Sequence, residues 1–122
     1  MIATPFGTIL QEIVQSLPGA KGAIFVDGEG EAVDGFSRIG DIPLRLIGAH
    51  WGIIFNHCRR ACDRLGLGSP AQILLRFGQT QTIVQRVTEH YIAIVTMDTE
   101  ANLGRAMRLI QTAQARLQQE ML

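Results

Sequence analysis

Phe6, Ile9, Leu10, Ile13, Val14 and Leu17 recur at intervals of three and four, the period of one helix face, and Pro18-Gly19 ends the run. Thr4-Pro5 ahead of it places a capping residue before a proline at the first helical position. Gly22 to Val26 and Glu31 to Phe36 flank the turn-forming Asp27-Gly28-Glu29-Gly30, which predicts an antiparallel hairpin. The helical period returns from Ile42 to Leu65, with Asp41 as the expected cap and Gly66 and Gly68 as the stop. Gln72 to Phe77, Thr82 to Thr88 and Tyr91 to Met97 then read as three strands, joined by connections too short for anything but an antiparallel meander. A final helix, capped by Thr99 and running to Leu122, presents one stripe of Leu103, Met107, Ile110, Ala113 or Gln114, and Leu117.

The order helix, two strands, helix, three strands, helix groups the strands instead of alternating them with helices. It predicts an α/β chain of the α+β type, with an antiparallel sheet carrying helices on its faces. Ala23-Ile24-Phe25-Val26 and Ile92-Ala93-Ile94-Val95 are apolar on both faces and are expected to pair at the sheet centre. Gln72 to Phe77 is nearly as apolar, yet connectivity puts it at one end of the meander, where an edge needs covering or pairing.

The helix from Ile42 to Leu65 carries more apolar surface than one sheet face can take. Leu44, Trp51, Cys58 and Leu65 repeat every seven residues with Ile47, Ile54 and Ala61 as companions, and this stripe is assigned to the sheet. Ile42, Leu46, Ala49, Ile53 and Phe55 widen it. Gly48 and Gly52 each cost about 1 kcal/mol against alanine inside a helix, so a close backbone approach is expected to compensate. Two readings stand: a large strand residue fills the gaps within the chain, or a second copy crosses there. The second is preferred, with Gly48, Ala49, Gly52 and Ile53 of the helix and Ile73, Leu75 and Phe77 of the edge strand as the expected dimer interface.

With 122 residues, 47% hydrophobic and 18% charged, the chain suits one globular domain over residues 1–122. Zero formal net charge and a single lysine, Lys21, argue against nucleic acid or an anionic membrane surface as partner. Met1-Ile2-Ala3-Thr4-Pro5 has no basic leader character and no apolar run is long enough to span a bilayer, so a cytoplasmic location is expected. Cys58 and Cys62 lie one helical turn apart, a geometry that disfavours a mutual disulfide, and read as reduced thiols.

Searches for chemistry end in ordinary structure. His57 beside Cys58 and Cys62 points around the helix instead of converging on a metal. Asp27 to Glu31 imitates a calcium loop, but Ala32 stands where glycine is needed and Arg38 where the closing glutamate belongs. Gly19-Ala20-Lys21-Gly22 lacks the spacing of a phosphate loop. His50, His57 and His90 have no arrangement that would activate a nucleophile, and Asp27, Glu29, Glu31, Asp34 and Asp41 read as a solvated acidic edge. No catalytic residue, cofactor or metal is therefore expected. Arg59, Arg60 and Arg64 complement the helix dipole and double as a candidate partner-binding patch.

Leu17-Pro18-Gly19-Ala20-Lys21-Gly22-Ala23-Ile24-Phe25-Val26-Asp27-Gly28-Glu29-Gly30 resembles the opening of the Roadblock / dynein light chain superfamily, and Ala101-Asn102-Leu103-Gly104 is similar to its closing motif. The resemblance implies a five-stranded antiparallel sheet of the profilin-like type, with the long helix on one face and the terminal helices on the other. It implies homodimers joined at edge strands and central helices, here Gln72 to Phe77 and Ile42 to Leu65. It further implies a non-catalytic regulator or scaffold of a Ras-like small GTPase, similar to the GTPase-activating partner of the gliding-motility GTPase. A sensor or small-molecule-binding domain of the same architecture is the alternative.

Overall fold

The computed structural model describes residues 4–122, so the expectation placed on Met1-Ile2-Ala3 lies outside the described residues. The elements are α1 (Pro5–Ser16), β1 (Ala20–Asp27), β2 (Ala32–Ser37), α2 (Asp41–Arg64), β3 (Gln72–Arg76), β4 (Thr80–Thr88), β5 (Tyr91–Asp98) and α3 (Leu103–Glu120). The five strands form one sheet in the order β2-β1-β5-β4-β3, with every neighbouring pair antiparallel. As the two-sided apolar pattern predicts, β1 and β5 pair at the centre, with Ala23 opposite Val95 and Ile24 opposite Ile94.

Alternation along those strands builds two cores. Ala23, Phe25, Ala93 and Val95 point to the face covered by α1 and α3, where Leu10, Val14, Ile110 and Leu117 close the layer. Phe25 is the pivot of that side, its ring 5.1 Å from Phe6 and 5.4 Å from Tyr91. Ile24, Val26, Ile92 and Ile94 point the other way, where Leu44 and Phe55 of α2 cover them.

α2 sits low on this second face. A Cβ at Gly48 would lie 2.9 Å from Val26 Cγ1 and 3.2 Å from Ile24 Cδ1, and one at Gly52 would lie 3.0 Å from the Gly30 Cα. Gly30 itself has φ 83°, in the left-handed region that glycine tolerates. The two helix glycines thus admit the sheet and the β1–β2 turn of their own chain. This corrects their assignment to the dimer interface: of the two readings open at Gly48 and Gly52, filling within the chain holds. Asn56 Nδ2 donates to the Gly28 carbonyl at 2.7 Å and Arg59 Nη1 to the Glu89 carbonyl at 2.5 Å, pinning the helix to both turns at that end of the sheet.

The helix caps differ from expectation. Asn102, not Thr99, caps α3, its side chain accepting from the Arg105 N–H at 3.0 Å. Gly40 precedes α2, and Asp41 is its first residue. Thr4 does precede α1, but its hydroxyl donates to Asp34 Oδ2 at 2.6 Å instead of capping the helix. Asp34 is only 4% exposed and also accepts from the Thr4 and Gly35 N–H groups, so it is no part of a solvated acidic edge. It ties the start of α1 to β2.

Two outcomes follow for stability. Gly48→Val is expected to lower the unfolding free energy in urea by about 1–3 kcal/mol, because the added methyls overpack Ile24 and Val26; unchanged stability would contradict the seating of α2. Asp34→Ala is expected to cost about 1.5–3 kcal/mol by the same measurement, since charge-assisted hydrogen bonds are lost at a buried position.

Candidate functional site

Seating α2 through Leu44, Gly48, Gly52 and Phe55 decides where its remaining apolar residues go. The helix lies mainly over β1 and β2, with β5 at its margin. One flank, roughly 80–120° round the helix from Gly48, carries Ile47, Ile54, Cys58 and Leu65, with Trp51 at its lower rim, and this flank faces β3. The Trp51 ring stacks on Phe77 at 5.7 Å, just past the end of β3. The opposite flank and crest carry Ile42, Leu46 and Ile53, exposed by 72%, 55% and 54% respectively.

The stripe assigned to the sheet is therefore only partly buried. Leu44 is fully covered, Ile47 and Trp51 are half-buried, and Ile54 and Leu65 are exposed. The helix is rolled by its glycines, so the row that a seven-residue repeat selects lies to one side of the true contact line. Of the expected interface residues, Ala49 is half-buried against the Gly30 turn and Ile53 is exposed on the side of α2 away from β3. Those two do not adjoin Ile73, Leu75 and Phe77.

On β3, Ile73 pairs with Val84 and Leu75 with Thr82, so both side chains rise on the α2 face of the sheet. Both are half-buried, and Phe77 is 49% exposed. β3 pairs only with β4, leaving its outer edge without a partner strand among the described residues. Ile73, Leu75, Phe77, Trp51 and Ile54 thus form one continuous surface from the open edge up the flank of α2, apolar in the middle and bounded by hydrogen-bonding backbone.

Charge lies across the crest of α2 from this surface. Arg60 and Arg64 are exposed on the crest and far flank of the last turns of α2, together with His50 and His57 on the crest. Arg59 is occupied by the Glu89 carbonyl, so it is separated from the other two. Cys58 and Cys62 are free thiols, each half-buried. No group of three metal-ligating side chains occurs among the described residues, and no helix there is long and apolar enough to cross a membrane. The surface has the chemistry of a protein contact. Sequence reasoning read Phe77 as the last residue of the edge strand and Trp51 as part of the sheet stripe, but missed that the two rings stack on each other.

No curated protein sequence matches the chain. Among solved structures, a Roadblock/LC7 domain from Streptomyces avermitilis superposes with TM-score 0.87 at 15% identity, over 93% of this chain and 95% of that one. The gliding protein MglB from Thermus thermophilus superposes with TM-score 0.85 at 15% identity, over 98% and 93%. Profilin II from Acanthamoeba castellanii follows with TM-score 0.62 at 14% identity, over 96% and 99%, which places the architecture in the wider profilin-like class. At such identities the likeness establishes the fold. Residues 7–96 match the family described as Roadblock/LC7 domain, a span from within α1 to near the end of β5. The chain belongs to the Roadblock/LC7 family.

Proposed function

We propose that this chain is a non-catalytic homodimeric regulator or scaffold acting in the cytoplasm, as one Roadblock unit, on a Ras-like small GTPase. The observation that carries the reading is the continuity of the unpaired β3 edge with the apolar flank of α2. A second copy related by a two-fold axis would pair β3 with β3, extend the sheet, and bring the Ile47, Trp51, Ile54 and Cys58 flanks of two α2 helices together. The partner is then met by the crests of the paired helices, where Arg60 and Arg64 continue the row of Leu46 and Ile53 toward the helix C-terminus. Support for a GTPase as that partner comes from family membership and from the likeness to the gliding protein MglB. Any acceleration of GTP hydrolysis would come from reshaping the GTPase. The alternative of a small-molecule sensor is less well supported, because the sheet surface beneath α2 is filled by Leu44 and Phe55 packed on Ile24 and Ile94.

Light scattering should give twice the 13.4 kDa chain mass. Ile54→Arg should give the single-chain mass with unchanged far-ultraviolet circular dichroism, because an unpaired charge would have to be buried at the contact. Ile53→Arg, on the far side of the helix, should leave the dimer intact; the reverse pattern would overturn the interface.

For the partner, a Ras-like GTPase purified with this protein should form a complex and hydrolyse GTP at an altered rate. Arg60→Glu with Arg64→Glu should weaken that complex about tenfold or more without changing the dimer mass. A dimer that binds no such GTPase would defeat the functional reading while sparing the interface.

A further inference from the structure

The opposite face of the molecule holds a second surface that the dimer and its GTPase contact leave unused. Between α1 and α3 runs a cleft of about 420 Å³. Its floor is apolar, made by Ile9, Ile13, Leu109 and Ala113, and its rim carries Arg105, Arg108 and Arg116. Glu12 is the one acidic residue lining it. Two positive charges therefore remain uncompensated in a chain whose net charge is zero.

The arginines differ in freedom. Arg116 is paired with Glu12, and the guanidinium holds that carboxylate below its ordinary pKa through the hydrogen bond and the charge attraction. Arg105 Nε donates to the Ser16 carbonyl at 2.8 Å, which clamps α3 to the end of α1 and fixes that side chain over the cleft. Arg108 makes no hydrogen bond or ion pair with any described residue, although its neighbours on the same row are both held. Arg105, Arg108, Thr112 and Arg116 follow one another at spacings of three, four and four, so they form a single row about 16 Å long on α3.

We propose that this cleft is a docking groove for an amphipathic acidic segment of a partner protein, its apolar side chains on the Ile9–Leu109 floor and its carboxylates on Arg105 and Arg108. Charge complementarity selects the occupant. A row about 16 Å long is too extended for one phosphate or carboxylate ion, but it matches about three turns of helix. Of the floor residues, Ile9, Ile13 and Ala113 are buried and Leu109 is half-buried, so none stands exposed to insert into a bilayer. Guanidinium groups above an apolar floor favour carboxylates that arrive with apolar neighbours. This groove lies across the sheet from α2 and does not depend on the GTPase reading.

The test uses the full chain and a fluorescent synthetic amphipathic helix of about four turns, with a leucine stripe flanked by glutamates. Anisotropy should show saturable binding that weakens at higher salt and falls at least about tenfold in Arg108→Glu. Thr112→Glu, which adds opposite charge within the same row at an exposed position, should act alike, and circular dichroism should show both variants folded. A version of the peptide with lysines for glutamates should not bind. The proposal is overturned by absence of binding, by equal affinity in the wild type and Arg108→Glu, or by loss of binding in Ile54→Arg instead, which would move the peptide to the α2 face. It is also overturned if phosphatidylserine vesicles bind with Arg108 dependence while the peptide does not.

Discussion

The approach of α2 to the sheet at Gly48 and Gly52 decides most of what this molecule exposes. Ile24 and Val26 rise into the space that side chains at Gly48 would occupy, and the Gly30 turn fills the corresponding space at Gly52. A helix without those glycines would stand further from the sheet. With them, the roll of α2 is set, and Leu44 and Phe55 become the only large side chains of the helix that are fully covered. Every other apolar residue on it is sent to a flank or to the crest. The open surface is thus a consequence of tight intramolecular packing, and the cost of two helix glycines is offset where the sheet meets them.

Two surfaces result, on opposite sides of one sheet, with different chemistry. Beside α2 the surface is apolar and ends in the unpaired backbone of β3, which suits association between equal copies, since strand pairing satisfies both edges at once. Between α1 and α3 the apolar floor is already mostly buried, and the arginine rim decides what can bind. The first favours a permanent contact. The second suits a reversible one, whose strength depends on charge and therefore on salt.

Much of the fold was legible because the local signals agree with one another. The central pairing of β1 with β5 is written in two stretches that are apolar on both faces, and the edge position of β3 follows from short connections that allow only a meander. The family, too, could be read from Leu17 to Gly30, inside the span that the family match covers. On β3 the candidate site was legible as residues, since Ile73, Leu75 and Phe77 read as an apolar edge that needs pairing, but on α2 it was legible only as an excess. Periodicity showed that α2 has too many apolar residues, but the roll of a helix depends on which strand side chains rise beneath it, and that is set in three dimensions. Asp34 was misread for a similar reason: a carboxylate on an edge strand close to an acidic turn looks solvated until α1 folds back and Thr4 closes over it. The arginine row of α3 had a visible spacing, yet it acquires meaning only once α1 supplies the opposite wall.

The central claim is that β3 and the adjoining flank of α2 form the contact between copies, and hydrogen exchange along Gln72–Arg76 tests it most directly. Pairing with β4 alone protects the amides that point inward and leaves the outward ones open to water. If two β3 strands pair, all of these amides should exchange slowly at high protein concentration, and the outward set should lose protection on dilution or in Ile54→Arg. Outward amides that exchange freely at every concentration would contradict the account.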